Sequence, residues 1–256
     1  MSDASVFRFT GRDGLEPAYR EIGEGRPLLL LHGFAGSGAQ WLEHGPARAL
    51  TAENRWRLIL PDLRGHGESP RPPDPASYPP DVLADDALAL IEALGLEDGG
   101  YDLAGYSLGA RVALRALVRG ARPGRAVLAG QGLAQVCGPQ QRSSNHRLLT
   151  ALVRDEPIEP GSPDAQAAYW LVTRSGADPR VLLHILDSLV PTPQDLLRSV
   201  KTPVLVVVGD ADDGHASADE LAAALPDARF VRVPGDHWLA LGAPEFAQAV
   251  AEFLVS

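Results

Sequence analysis

The chain has 256 residues, 45% of them hydrophobic and 22% charged, which suits one large domain with a sizeable core better than two independent domains. Lys and Arg number 23 against 33 Asp and Glu, a net charge of −10 with no basic block, so nucleic acid and anionic membrane surfaces are poor partners. Cys137 is the only cysteine, which excludes an internal disulfide and a cysteine-rich metal site.

Met1 to Thr10 carries no basic-then-apolar signal pattern, and no apolar run reaches the roughly 18 residues of a membrane span, so a cytoplasmic setting is expected. Val6–Thr10 and Ala18–Ile22 predict an antiparallel edge hairpin. Arg26–Leu31 is a short apolar run ending at His32-Gly33, and Trp56–Leu60 ends at Pro61-Asp62. Tyr101–Ala104, Arg125–Ala129, Pro203–Val208 and Ala228–Val233 have the same form. Such continuous apolar runs, separated by helical spacing, predict a parallel sheet buried on both faces. Helices are expected over Asp81–Leu94, which Gly95 stops, and over Ser107–Arg119, Ala216–Leu225 and Pro244–Leu254.

Between about Gln131 and Ser199 the alternation breaks. Leu148–Val153, Ala167–Val172 and Val181–Leu189 have helical spacing, and Pro157, Pro160, Pro163, Pro179, Pro191 and Pro193 punctuate them. The stretch is long for a single crossover connection. The predicted architecture is α/β: a mostly parallel central sheet with helices on both faces, built from residues 1–130 and 200–256, with a helical cap inserted at 131–199. Ordinary crossover helices are the alternative for that stretch.

The chemistry concentrates where the apolar runs end, the edge at which open parallel sheets bind ligands. Gly105-Tyr106-Ser107-Leu108-Gly109 is a G-x-S-x-G nucleophile elbow, in which small flanking residues let a sharp turn expose the serine. A serine is a poor nucleophile without a base and an orienting acid. His237, just past the last run, is the candidate base. Asp210, Asp212 and Asp213 follow the Val-rich run, and Asp212 is the preferred acid, with Asp213 and Asp210 as alternatives. The order Ser, Asp, His fits. The backbone N–H groups of Phe34 and Leu108 are the candidate oxyanion donors, and His32 reads as a structural hydrogen-bonder. His44, His146, His184 and His215 lack zinc-site spacing, so no metal is expected. Gly33 to Gly38 reads G-x-x-G-x-G without a phosphate-loop lysine, so no nucleotide cofactor is expected either.

Taken together, Leu31-His32-Gly33-Phe34, Asp62 to Ser69, the elbow, Gly209-Asp210-Ala211-Asp212 and Gly235-Asp236-His237 resemble the α/β-hydrolase family over nearly the whole chain. The resemblance implies a Ser107–His237–Asp212 triad that hydrolyses a small ester, thioester or lactone through an acyl-enzyme. It also implies a cap that shapes the pocket, a structural role for Asp62 to Ser69, and no cofactor. Serine at the elbow argues against the haloalkane dehalogenases and epoxide hydrolases, which use aspartate there.

Two narrower resemblances bear on the substrate. The elbow with Arg111, and the upstream His32 to Ser37, are similar to the SHCHC synthases of menaquinone biosynthesis, lyases that eliminate pyruvate and hold carboxylates with arginines. Arg111 matches the elbow arginine, Arg142 or Arg147 matches one in the cap, and Ala110 departs from the pattern. A helix residue paired with a nearby acid is the alternative for Arg111. His237-Trp238 resembles the meta-cleavage C–C hydrolases, although Tyr106 stands where those enzymes carry Asn. Trp238 either closes the pocket floor or packs under the sheet edge. Tyr106, Arg111, Trp238, Arg142 and Trp170 are the candidate substrate contacts. A small-molecule substrate is expected, the sequence specifies no oligomeric state, and a non-catalytic ligand-binding protein of this fold is the remaining alternative.

Overall fold

A computed structural model describes residues 5–43, 45–47, 50, 55–139, 143–170 and 176–256. The strands are β1 (Val6–Arg8), β2 (Ala18–Ile22), β3 (Arg26–Leu31), β4 (Trp56–Pro61), β5 (Asp102–Tyr106), β6 (Ala126–Ala129), β7 (Val204–Gly209) and β8 (Ala228–Val233). They form one sheet in the order β1-β2-β4-β3-β5-β6-β7-β8. β1 and β2 pair antiparallel, as do β2 and β4, and every later pairing is parallel. The edge hairpin and the six core strands match the sequence expectation, with ends shifted by a residue or two.

The helices are α1 (Gln40–Glu43), α2 (Val82–Ala93), α3 (Leu108–Val118), α4 (Leu133–Cys137), α5 (Ser144–Val153), α6 (Pro163–Tyr169), α7 (Pro179–Ser188), α8 (Gln194–Leu197), α9 (Ala218–Ala224) and α10 (Pro244–Val255). Alternation along β3 separates two cores. Leu29 and Leu31 join α2, α3, α7 and α9 in one, while Leu28 and Leu30 join Trp41, Leu50 and α10 in the other. Both sheet faces are thereby covered, which is why β3 and β7 tolerate unbroken apolar runs.

Among the described residues the segment between β6 and β7 contains helices α4 to α8 and no strand. α6 begins at Pro163 rather than Ala167, because Ser162 caps it by accepting from the Ala165 N–H at 3.1 Å. Asp178 and Pro179 start α7 in the same way. Leu171 and Val172 of the expected helix lie outside the described residues. Among the described residues, no helix is long and apolar enough to cross a membrane.

The strand order reverses around β3, the switch point at which open α/β sheets form a crevice. The segments following β3, β5, β6, β7 and β8 all leave from the carboxyl edge of the sheet.

Candidate active site

β5 ends at Tyr106 and α3 starts at Leu108, so Ser107 alone makes the turn. It does so at φ 53° and ψ −111°, outside the conformations that L-residues normally adopt. Its N–H donates to the Ala129 carbonyl at 2.8 Å, and its own carbonyl accepts from Ala110 and Arg111 at 3.1 and 3.2 Å. A Cβ at Gly105 would lie 2.2 Å from the Gly109 carbonyl oxygen, and one at Gly109 would lie 2.0 Å from the Leu31 carbonyl oxygen. The two glycines are therefore what allow β3, β5 and α3 to approach closely enough to hold the serine in its turn.

His237 Nε2 lies 3.0 Å from Ser107 Oγ, and His237 Nδ1 lies 2.7 Å from Asp212 Oδ2. A neutral imidazole with its proton on Nδ1 donates to the carboxylate and leaves the Nε2 lone pair for the serine proton. Asp210 is spent elsewhere: its carboxylate accepts the Gly235 N–H at 2.9 Å and ties the β7 loop to the β8 loop. Asp213 is exposed, whereas Asp212 is buried. Asp236 accepts from the N–H groups of Trp238 and Leu239 at 2.8 and 2.9 Å, which closes the turn carrying His237. Burial alone would raise the Asp212 carboxyl, but hydrogen bonds from His215 and His237 outweigh it and hold the group well below the usual carboxylate range.

Phe34 and Leu108 both line the cavity beside Ser107. Among the described residues neither backbone N–H donates to an acceptor of the protein. Leu108 opens α3, where the N–H groups of the first turn have no partner inside the helix. His32 is fully buried: its Nε2 accepts the Leu63 N–H at 2.9 Å, which puts the ring proton on Nδ1, 2.7 Å from the Gly33 carbonyl oxygen. Asp62 likewise holds a loop, accepting from Gly38 at 2.7 Å and Glu68 at 2.8 Å.

Two cavities of about 580 and 550 Å³ share Phe34, Ser107, Asn145 and His237. The larger carries the polar side chains of Arg111, Gln131, Gln135 and His215 on its wall. The smaller is lined by Tyr106, Pro163, Ala167, Trp170 and Trp238. Arg111 is buried, donates through Nη1 to the Gln135 carbonyl, and leaves Nη2 without a partner. Among the described residues it pairs with no acid, the alternative role the sequence offered. Burial pushes the guanidinium down to about 10, with Cys137 acting weakly the other way. Tyr106 spends its hydroxyl on the His237 carbonyl at 2.5 Å, so only its ring faces the smaller cavity. Trp238 is 65% exposed and meets Trp170 edge-on at 5.0 Å, so it packs under no strand and walls the cavity instead. Arg142 lies outside the described residues.

The geometry can be set beside known proteins. A family model for the alpha/beta hydrolase fold matches residues 26–130. The chain is 30% identical over 278 aligned positions to the 2-hydroxymuconate semialdehyde hydrolase of Pseudomonas putida, covering 95% of this chain and 94% of that protein. The chain belongs to the alpha/beta hydrolase fold family. A second such hydrolase, from Pseudomonas sp. (strain CF600), is 36% identical to this α/β hydrolase over 106 residues, 41% of this chain and 36% of that protein. Among solved structures, esterase RhEst1 from Rhodococcus sp. ECU1013 is 27% identical with a TM-score of 0.74, covering 98% of this chain and 99% of that one. A thermophilic esterase from Thermogutta terrifontis, crystallised with malate, is 27% identical with a TM-score of 0.76 and covers 98% of each chain.

The sequence reading of this α/β hydrolase passed over three polar groups at the site. Gln131 and Gln135 expose unpartnered, buried Oε1 atoms on the wall shared with Arg111. His215, set aside for lacking zinc spacing, lies on Asp212 and His237. Among the described residues, Asp212, His215 and His237 are the one group of His and Asp donors close enough to share a cation. The two rings stack 18° from parallel and both direct Nδ1 at Asp212, so their lone pairs do not converge on a common point.

Proposed function

We propose that this α/β hydrolase is a serine enzyme that hydrolyses a small carboxylic ester, thioester or lactone through an acyl-enzyme. The observation that carries this reading is the hydrogen-bonded chain from Ser107 Oγ to His237 at 3.0 Å and on to Asp212 at 2.7 Å. His237 Nε2 takes the Ser107 proton as Oγ attacks the carbonyl, and Asp212 stabilises the imidazolium. The Phe34 and Leu108 N–H groups receive the developing oxyanion. His237 then returns the proton to the leaving alcohol or thiol, and a water activated by the same base hydrolyses the acyl-enzyme. The segment 131–199 acts as a cap: Asn145, Pro163, Trp170 and Leu186 from it line the two cavities. Arg111 orients an anionic or strongly polar arm of the substrate, and Trp170 and Trp238 take an apolar arm.

A second reading, hydrolysis of a carbon–carbon bond next to a carbonyl, draws support from the near-full-length similarity to 2-hydroxymuconate semialdehyde hydrolase and from the unpaired Arg111 Nη2. One experiment separates these from an elimination. A fluorophosphonate probe should label Ser107, and rapid quenching during p-nitrophenyl ester turnover should trap an acylated Ser107 by mass spectrometry. Turnover of a vinylogous keto acid but of no ester favours the second reading. An enzyme that turns over substrate with Ser107 neither labelled nor acylated defeats the serine mechanism.

A further inference from the structure

Asp212 accepts two imidazoles. His237 Nδ1 lies 2.7 Å from Oδ2, and His215 Nδ1 lies 2.8 Å from Oδ1. The two rings stack with centroids 4.3 Å apart and 18° between their planes. His215 is three residues past Asp212 on the short turn Asp213–His215, and its N–H closes that turn on the Asp212 carbonyl at 3.1 Å. Both carboxylate oxygens are thus held, and the face of His237 is covered by a second ring.

We propose that His215 is a positioning residue for the base: it fixes the Asp212 carboxylate, holds the plane of His237 by stacking, and shares the single negative charge on which the His237 imidazolium depends. The proposal rests on the reading of Ser107, His237 and Asp212 as the reacting chain.

The argument is geometric first. A carboxylate held through one oxygen can turn about its Cβ–Cγ bond, whereas one held through both oxygens presents Oδ2 to His237 in a fixed direction. To donate to Oδ1, His215 must keep a proton on Nδ1, because a lone pair there would face a carboxylate lone pair. Sharing then has a consequence. A His215 N–H on Oδ1 withdraws electron density from Asp212, and a second proton on His215 would place two stacked cations on one carboxylate. Both effects weaken the negative charge that Asp212 offers to a His237 imidazolium. Among the described residues, the other titratable and charged groups facing this pair are Arg111 of α3, across the same cavity, and Tyr106 of β5, whose ring lies 5.6 Å from that of His237. Asp213 precedes His215 in its own turn and is exposed.

The test uses the full chain and p-nitrophenyl acetate, with fluorophosphonate labelling of Ser107 as a second measure. His215→Asn puts an amide N–H where Nδ1 was, keeping the bond to Asp212 but losing the stack and the second charge. His215→Phe keeps a stacked ring and loses the bond. In both variants activity on the acid side should fall by about three- to tenfold more, relative to each plateau, than in the unmodified enzyme. The plateau kcat should also fall in both variants with little change in KM, by about tenfold in His215→Phe, which loses the bond to Asp212, and by about threefold in His215→Asn, which loses the stack. A residue that merely supports the fold would lower the melting temperature and leave the shape of the pH profile alone. Acid limbs that superimpose on the unmodified profile in a folded variant overturn the proposal and leave the serine mechanism standing. Histidine-labelled 15N NMR of the unmodified enzyme needs no variant: a His215 Nδ1 without its proton at neutral pH also overturns it. A chain whose Ser107 reacts with neither reagent removes the serine mechanism and the proposal together.

Discussion

The Tyr106 hydroxyl donates to the main-chain carbonyl of His237 at 2.5 Å, so the residue before Ser107 holds the loop that carries His237. The two residues are far apart in sequence and come together because β5 and β8 end at the same edge of the sheet. Tyr106→Phe removes that single tether and keeps the ring. We expect kcat for p-nitrophenyl acetate to drop by about three- to tenfold with KM nearly unchanged, the scale of one neutral hydrogen bond. An equal loss in KM alone would mean that Tyr106 contacts substrate instead.

Ser107→Ala should abolish ester turnover and fluorophosphonate labelling while leaving the melting temperature within a few degrees. Asp212→Asn should cost kcat roughly a thousand- to ten-thousandfold, because an amide at that position favours the wrong His237 tautomer. Steady-state kinetics and intact-mass labelling check both variants.

Asp212 also ties stability to pH. Its folded-state carboxyl titrates below its unfolded value, so the unfolded chain binds the extra proton as the solution is acidified. The stabilisation from this group is complete above the unfolded value of about 4 and is lost as pH falls towards the folded one. The melting-temperature gap between the unmodified protein and Asp212→Asn should therefore narrow progressively as pH falls below about 5. A gap that widens on acidification contradicts this account.

We expect Arg111 to set binding against stability. Its folded-state value of about 10 lies below the ordinary 12.5, so the charged form is disfavoured by folding throughout the range below about 10. Arg111→Met should raise the melting temperature by a few degrees, of the order of 1 kcal/mol for a chain of this size. The same change should raise KM for an ester bearing a free carboxylate by roughly 10- to 100-fold and leave p-nitrophenyl acetate unaffected. Parallel melting curves and the two substrates separate these effects.

Gly109→Ala would force a Cβ to 2.0 Å from the Leu31 carbonyl oxygen, a backbone atom that cannot swing aside. We expect a loss of about 3 kcal/mol or more and poor soluble yield, measured by urea titration.

What could be read from the sequence was what is local in the chain. The apolar runs of β3 to β8 carry their own burial, and the elbow glycines carry their own steric reason, so fold class and the sharp turn at Ser107 were visible together. Helices α4 and α8, of 5 and 4 residues, are too short for a period to show. The start of α6 was marked by Ser162-Pro163, a cap signal that apolar spacing alone passes over. His215 was passed over for a different reason. Ligand spacing along the chain was the criterion applied to it, whereas its stacking on His237 arises only when the β7 and β8 loops fold side by side. Whether Arg111 has an acid partner is likewise decided by tertiary packing, in this case by the Gln135 carbonyl.

Among the described residues the two cavities share only Phe34, Ser107, Asn145 and His237. Walls that share no other residue can be altered independently, so substitutions at Trp170 or Trp238 should combine additively with substitutions at Gln131 or Gln135. Selection, natural or in the laboratory, can thus reshape one cavity without reopening the choice made for the other.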